Sequence, residues 1–419
     1  MAKKKVLLIS YHALPMDVVA SYRAKAYCDY FYESDIYPTL ITHRWELDNE
    51  ERWIYHNVDE EVLTEDYKNY QVIRLPRPQE KNSPSTLTTF SHWLSGDFEM
   101  HLLNSYKMFR TFLLSHLKSN TYDCILAIFN PHYHIKLAYE LNKKFDIPYI
   151  LDFRDLWDNQ MITTSYKPSF KKIFQDNLIK FYWKKWLKPC LFFSTTSNVW
   201  INYLSKLSGK NGLKVTNGHE IDSVFEPIST KKFTLAYFGR MYPYQNFEVI
   251  LKGIQGFLKC HKGIKDFELL LIGIKKVNDF NGIDIFQSNL DNRYIKVINY
   301  LPKKKLIQYV HKNASLFILP NLIEDNGSFF VKLYDYIALN KPIILAPSNN
   351  SENDEVTKRL NAGLVTASSA DVTDFLNKSY AEFVKTGKVK NGIKKNQVNY
   401  FHRSNQVAIL ANAINNHIN

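Results

Sequence analysis

Asn326-Gly-Ser-Phe-Phe-Val-Lys-Leu-Tyr-Asp-Tyr-Ile-Ala-Leu-Asn-Lys-Pro342 is the stretch on which the reading of this chain turns. A Gly-Ser turn feeds a segment carrying Lys332 and Asp335, Lys341-Pro342 stops it, and the β-branched run Ile343-Ile344-Leu345 follows. The pattern predicts a loop, a helix start and then a strand. Free backbone N–H groups and a lysine at a helix mouth suit a phosphate or diphosphate. An acid three residues after the lysine sits about one turn away on the same face, where it can accept hydrogen bonds from a ribose.

Outward from this stretch, strand-like and helix-like segments alternate, which predicts an α/β chain with parallel sheets. In the first half, strands are expected at Val6–Ser10, Thr39–Thr42, Val72–Arg74, Cys124–Phe129, Tyr149–Phe153, Phe192–Ser197 and Lys214–Thr216. Helices are expected at Ser21–Tyr32, His134–Phe145 and Val199–Leu207, and residues 76–97, rich in Pro, Ser and Thr, read as a long loop or lid. The pattern restarts at residues 217–233. Strands Thr234–Phe238, Phe267–Gly273, Ile295–Ile298, Ala314–Leu319 and Ile343–Ala346 follow, with helices at Asn246–Cys260 and Asn405–Ile418. Two doubly wound halves imply two Rossmann-like domains, 1–216 and 217–400, facing a cleft.

At 419 residues the chain has room for two cores, and 45% hydrophobic with 23% charged residues is ordinary globular composition. Its longest apolar runs, Leu269–Ile274 and Ile343–Pro347, are strand-length, far short of the ~18 residues of a membrane span. The basic-then-apolar start reads as a first buried strand, because no small-residue cleavage site follows. Cys28, Cys124, Cys190 and Cys260 have no metal-like or redox-like spacing and fit reduced thiols in a cytoplasmic protein. The net charge of +13 lacks any recognisable nucleic-acid module, so phosphorylated substrates or an anionic membrane surface account for it instead. Residues 167–188 place Phe170, Phe174, Phe181 and Trp186 among lysines at helical spacing. They read either as an amphipathic helix on the inner face of a plasma membrane or as one burying its aromatic stripe in the core.

Lys332-Leu333-Tyr334-Asp335-Tyr336-Ile337-Ala338 resembles the donor-binding segment of the bacterial group 1 (family 4) glycosyltransferases, usually Lys-Leu-Tyr/Phe-Glu-Tyr-Leu-Ala. Four further places resemble that family in the same order. Asn130-Pro131-His132-Tyr133-His134 and Asp152-Phe153-Arg154-Asp155-Leu156-Trp157 are similar to its histidine-bearing helix start and its strand end; the Arg–Asp pair also reads as a simple loop closure. Asn217-Gly218-His219-Glu220-Ile221-Asp222 resembles its domain-junction turn, for which a structural role is expected. Phe238-Gly239-Arg240 through Gln245 resembles the glycine-rich turn facing the donor phosphates. Asn299-Tyr300-Leu301-Pro302 resembles the segment that reads the donor base, or is a plain strand–loop–helix.

The resemblance implies the GT-B fold, with a C-terminal helix (401–419) crossing back to the first domain. It implies transfer of a sugar from a UDP- or GDP-linked donor to a lipid-linked or glycan acceptor in surface-polysaccharide synthesis, retaining and metal-independent, with no cofactor. Gly239, Arg240, Gln245, Tyr300, Leu301, Ser328, Lys332, Leu333 and Asp335 would bind the donor. His134, His132, Arg154 and Asp155 would serve catalysis and the acceptor side, joined by Arg23, which matches an arginine at the family's first helix start. The chain departs from the pattern in four ways: Asp335 replaces a glutamate, Gly327 stands where a second glutamate is usual (with Asp325 close enough to substitute, or the position not needed), Gln245 replaces a lysine, and the first-domain loop Asp17–Arg23 lacks the usual Gly-Gly. Two other readings stay open: a nucleotide-sugar 2-epimerase, and a non-catalytic assembly partner on the same fold.

Overall fold

Runs such as Cys124–Phe129 and Phe233–Phe238, in which every side chain is buried, are what strands of a parallel sheet covered on both faces require. The computed structural model describes residues 3–16, 18–47, 53–55, 61–76, 86–157, 167–221, 225–277 and 279–418. The chain divides into two units. One comprises Met1–Asn217, Asn326–Ser328 and Arg403–Asn419; the other comprises Gly218–Asp325 and Phe329–His402.

The first unit holds strands β1 (Lys4–Ile9), β2 (Ile36–His43), β3 (Trp45–Leu47), β4 (Trp53–Tyr55), β5 (Leu63–Asp66), β6 (Gln71–Leu75), β7 (Cys124–Phe129), β8 (Tyr149–Phe153), β9 (Phe193–Thr195) and β10 (Gly212–Lys214). Its helices in this stretch are α1 (Val19–Tyr30), α2 (Thr86–Leu94), α3 (Leu103–His116), α4 (His132–Phe145), α5 (Phe170–Leu187) and α6 (Asn198–Ser208). Eight strands form one sheet in the order β10-β9-β8-β7-β1-β2-β6-β5, while β3 and β4 make a separate ribbon. Within the large sheet every pairing is parallel except β5 with β6. Successive strands leave β1 on opposite sides, β2 to one and β7 to the other, so the crevice opens where the chain after β1 and after β7 diverges. Of the loop expected at 76–97, residues 77–85 lie outside the described residues and Thr86–Leu94 is helical. Its Phe90, Trp93 and Leu94 fall at i, i+3 and i+4, which overrides the Ser/Thr content.

The second unit holds β11 (Phe233–Phe238), β12 (Phe267–Ile272), β13 (Ile295–Ile298), β14 (Leu316–Pro320), β15 (Ile343–Ala346) and β16 (Gly363–Val365). They run in the order β13-β12-β11-β14-β15-β16, all parallel. This is the 3-2-1-4-5-6 order of a dinucleotide-type Rossmann sheet, with its switch point between β11 and β14. The helices are α7 (Glu248–Cys260), α8 (Gly282–Gln287), α9 (Lys303–Asn313), α10 (Val331–Ala338), α11 (Glu352–Arg359), α12 (Ser369–Thr386) and α13 (Lys395–Tyr400). Two apolar clusters cover the sheet's faces. One contains Ile250 and Phe257 of α7; the other contains Leu333 and Ile337 of α10. The last helix, α14 (Arg403–His417), belongs to the first unit, where Val407, Leu410 and Ile414 join Val6, Leu8 and Tyr27.

Candidate functional site

In the second unit the carboxyl ends of β11 and β14 flank the switch point, where an open α/β sheet presents a ligand to backbone and side chains. Gly239 follows β11 directly with φ +81°, and its N–H donates to Ile272 O at 2.9 Å. A side chain there would be strained by backbone alone. The nearest atom a Cβ would meet is Lys332 Nζ, 4.0 Å away, so the ammonium stands over bare backbone. Lys332 Nζ donates to Tyr237 Oη and, at 3.0 Å, to Arg240 O; Tyr237 Oη in turn donates to Arg240 O at 2.8 Å. Burial lowers the Lys332 pKa to about 7, with Asp335 pulling it the other way. Arg240 is exposed, its guanidinium 6.0 Å from the Tyr242 ring centroid, and no ion pair engages it among the described residues. No side chain of the N-cap residue Phe330 caps α10; the Phe330 N–H donates to Asn353 Oδ1 at 3.0 Å and the Leu333 N–H to Phe330 O at 2.9 Å, which leaves the N–H groups of Val331 and Lys332 as the ones an anion could take.

Three expected donor residues sit differently. Leu333 has 0% exposure and packs under the sheet, so its side chain reaches no ligand. Gln245 is buried, and its amide is used at both ends: Nε2 donates to Pro320 O at 2.9 Å, and Oε1 accepts from Tyr242 N at 2.9 Å. It ties the loop after β11 to the end of β14 and so positions that loop. Asp335 is buried and accepts a hydrogen bond from Lys303 Nζ at the start of α9, a partner invisible in the sequence. Ser328 groups with the first unit, its N–H donating to Asn326 Oδ1 at 3.0 Å. Tyr300, 56% exposed with Lys275 Nζ 5.6 Å from its ring centroid, offers a flat face beside β13, while Leu301 is half-buried against the core.

Sequence reasoning missed the support behind this crevice. Asp354, on α11, accepts from Ser348 Oγ (2.6 Å), Asn349 N (2.9 Å), Asn350 N (2.8 Å) and Asn321 Nδ2 (2.9 Å). It locks the turns after β14 and β15 to each other. The run Pro347-Ser-Asn-Asn-Ser351 after a strand carried that signal, since Asn and Ser at a turn seek nearby acceptors.

In the first unit the expected histidines are packed inside. His134 has 0% exposure, its Nδ1 2.8 Å from Ile128 O, and burial lowers its pKa to about 3. His132 accepts from Trp183 Nε1 at 3.1 Å and is likewise lowered to about 3 by burial. Both are neutral at pH 7, and neither has a surface from which to touch a sugar. Arg23 is buried: it grips Asp152 through Nε and Nη2, both at 2.6 Å, and donates to Val215 O, Thr216 O and Asn217 Oδ1. Asp152 also accepts from Tyr27 Oη (2.8 Å) and Ser194 Oγ (2.6 Å), so this pair is fully satisfied and structural. Asn217, in the junction turn, has the structural role expected of it.

Arg154 and Asp155 stay half-buried at the end of β8, 3.9 Å apart. A histidine that stays half-buried near a strand's carboxyl end in this unit is His12, just past β1. Its ring parallels Trp45 at 6.3 Å; burial, assisted by Arg154, lowers its pKa to about 4. Its position immediately after the apolar run Val6–Ser10 was the available clue. No group of three or more His, Cys, Asp or Glu side chains gathers into a metal cage among the described residues.

No family model matches the sequence, and no curated protein sequence does either. Solved structures do match over nearly the whole chain. A sucrose-phosphate synthase from Thermosynechococcus elongatus aligns at TM-score 0.67 with 14% identity, covering 99% of each chain. A glycosyltransferase from Rickettsia africae aligns at 0.63 with 12% identity, covering 100% of this chain and 99% of that one. Anabaena HepE in complex with UDP and glucose aligns at 0.59 with 12% identity, covering 99% and 100%. The protein has the GT-B fold: two Rossmann-like domains in the arrangement of strands and helices found in those structures.

Proposed function

We propose that this chain is a glycosyltransferase that moves a sugar from a UDP- or GDP-linked donor to a lipid-linked glycan acceptor in surface-polysaccharide synthesis. The observation that carries the reading is the Lys332 ammonium held 4.0 Å from where a Gly239 side chain would begin, at the switch point of a 3-2-1-4-5-6 sheet. Arg240 adds a second cation beside it, and the Val331 and Lys332 N–H groups at the start of α10 add donors. A nucleoside diphosphate fits this set by charge and by backbone approach. Similar structures that bind UDP and glucose, or are named for sucrose-phosphate or trehalose-phosphate synthesis, agree with such a donor.

In transfer, an acceptor hydroxyl bonds to the anomeric carbon as the carbon–oxygen bond to the diphosphate breaks, and the hydroxyl proton passes to the departing diphosphate oxygen. Lys332 and Arg240 stabilise the negative charge that collects on the departing diphosphate. Tyr237 and Gln245 hold that loop in place, and Tyr300 offers its face to the base. In the first unit, His12 and Arg154, near the carboxyl ends of β1 and β8, are assigned to the acceptor. Retention of configuration and independence from metal follow the family resemblance and belong to this proposal.

A thermal-shift screen with UDP, GDP, CMP and dTDP tests the reading. A ligand at 100 times its dissociation constant should stabilise by ~2.7 kcal/mol. Stabilisation by one diphosphate, lost in Lys332→Ala, supports the donor site. No shift with any nucleotide leaves the non-catalytic reading, and free sugar released from a nucleotide-sugar without acceptor favours the epimerase.

A further inference from the structure

Helix α5 has two unlike sides. Ile179, Trp183, Trp186 and Leu187 are buried in the first unit's core, and Asp176, the helix's sole acid, is buried and paired with Lys172 at 3.1 Å. The other side is apolar and uncovered: Phe170 is 93% exposed and Phe181 60%, with Ile173 and Phe174 between them. Helix α2 extends this surface. Its Phe90 stacks on Phe174 with ring centroids 5.3 Å apart, and Tyr182 Oη donates to Leu94 O. Phe90 and Leu94 are themselves exposed, so every exposed phenylalanine among the described residues lies on this one patch.

Its charge is one-sided. Lys167, Lys171, Lys184, Lys185 and Lys188 are exposed around the aromatics, and α2 contributes no acid. A soluble helix facing only water has no reason to present phenylalanines, and one facing a second copy of itself across a two-fold axis would set lysine against lysine with no acid to relieve them. Aromatics flanked by lysines match an anionic lipid headgroup layer, with the rings entering the acyl boundary and the ammoniums on the phosphates. No described helix is long and apolar enough to cross a membrane, so the contact is interfacial.

We propose that the α2–α5 face docks the first unit onto an anionic bilayer surface, with Phe170, Phe174 and Phe181 as the inserted side chains and Lys184, Lys185 and Lys188 as the headgroup contacts. The inference stands on this surface alone and does not depend on sugar transfer. Both readings of residues 167–188 find part of the helix: Trp183 and Trp186 are core, and Phe170, Phe174 and Phe181 face outward.

Flotation of the purified full-length chain with vesicles tests it. Vesicles of phosphatidylcholine carrying 30% phosphatidylglycerol should carry the protein upward, and pure phosphatidylcholine vesicles should carry at least tenfold less. Raising the salt to 0.5 M should weaken the anionic binding about tenfold or more, as screening of several lysines requires. Phe170→Ser with Phe181→Ser should reduce binding at least tenfold. Lys184→Gln with Lys185→Gln and Lys188→Gln should abolish the lipid preference, and all these positions are exposed, so the melting temperature should hold. The lysine variant keeps the test valid should the phenylalanine variant unfold. Lys332→Ala should float like the wild type, separating this surface from the donor site. Equal binding to both vesicles, no binding to either, or variants that float unchanged would overturn the proposal. A dimer dispersed by the phenylalanine changes, in a protein that ignores vesicles, would reassign the face to self-association.

Discussion

With Lys332 on the diphosphate, as proposed, donor binding becomes a protonation event. In the ligand-free protein its pKa is lowered to about 7, so half the molecules carry a neutral amine there at pH 7. One phosphate charge 4 Å from the ammonium, at an effective dielectric of 20, is worth ~4 kcal/mol. That is about three pKa units, enough to return the bound lysine to the ordinary range. Above pH 7 the free protein loses the proton that the complex keeps, so binding must take one up. Between pH 7 and pH 9 the charged fraction falls from about one half to about one hundredth, and UDP affinity should drop about 50-fold, or ~2.3 kcal/mol. The terminal phosphate of UDP, with a second pKa near 6, is already ionised over this range. Titration calorimetry at pH 6.5 to 9, in buffers of different ionisation heat, reads both affinity and proton uptake. Lys332→Ala should bind weakly with a flat pH profile. Wild-type affinity that stays constant from pH 7 to pH 9, or uptake of no proton at pH 8.5, would refute the reasoning. Stability of the free protein moves the opposite way: the unfolded chain binds the lysine proton more tightly, so this group's contribution to stability rises with pH from about 7 towards the normal lysine range.

Asp152→Asn should cost ~3–5 kcal/mol in urea unfolding, because it strands the buried Arg23 guanidinium; a loss under 1 kcal/mol would mean the pair is not the brace its geometry implies. Gln245→Lys should lower stability by ~1–3 kcal/mol, since the Tyr242 N–H loses its acceptor. Tighter UDP binding in that variant would show that the charge matters more than the brace. Gly239→Ala should cost ~1–2 kcal/mol from its φ of +81° alone, and it should weaken UDP binding beyond that loss by placing a methyl where the diphosphate approaches. Denaturation alongside calorimetry separates the two effects.

The sheet strands were legible because parallel strands buried on both faces are continuous apolar runs; Cys124–Phe129, Tyr149–Phe153 and Ile343–Ala346 fall where the sequence puts them. The helix Leu103–His116 went unread, although Tyr106, Phe109 and Leu113 mark its buried side at i, i+3 and i+7. Arg240 and Lys332 were readable as cations at a strand end and a helix start. Their neighbours were not, because Lys303 stands 32 positions from Asp335 and Asp152 stands 129 from Arg23. An isolated arginine or histidine near a motif looks like a ligand contact until its distant partner is known. The burial of His132 against Trp183, 51 positions away, and of His134 at 0% exposure was hidden for the same want of tertiary information. A strand end gives the edge of the sheet, but not which of the next few side chains turn inward.

The attachment of α14 to the first unit has a cost in the order of synthesis. Val407, Leu410, Ala411 and Ile414 complete the core begun by Val6 and Leu8, so that core stays open while residues 218–402 are translated. At ~5–20 residues per second that is a wait of roughly 10–40 s on the ribosome, with one face of the amino-terminal sheet unsealed. The second unit, made from a nearly continuous stretch, can close within that interval. A nascent chain stalled before Arg403 would offer chaperones and proteases an apolar stripe that the finished protein never shows.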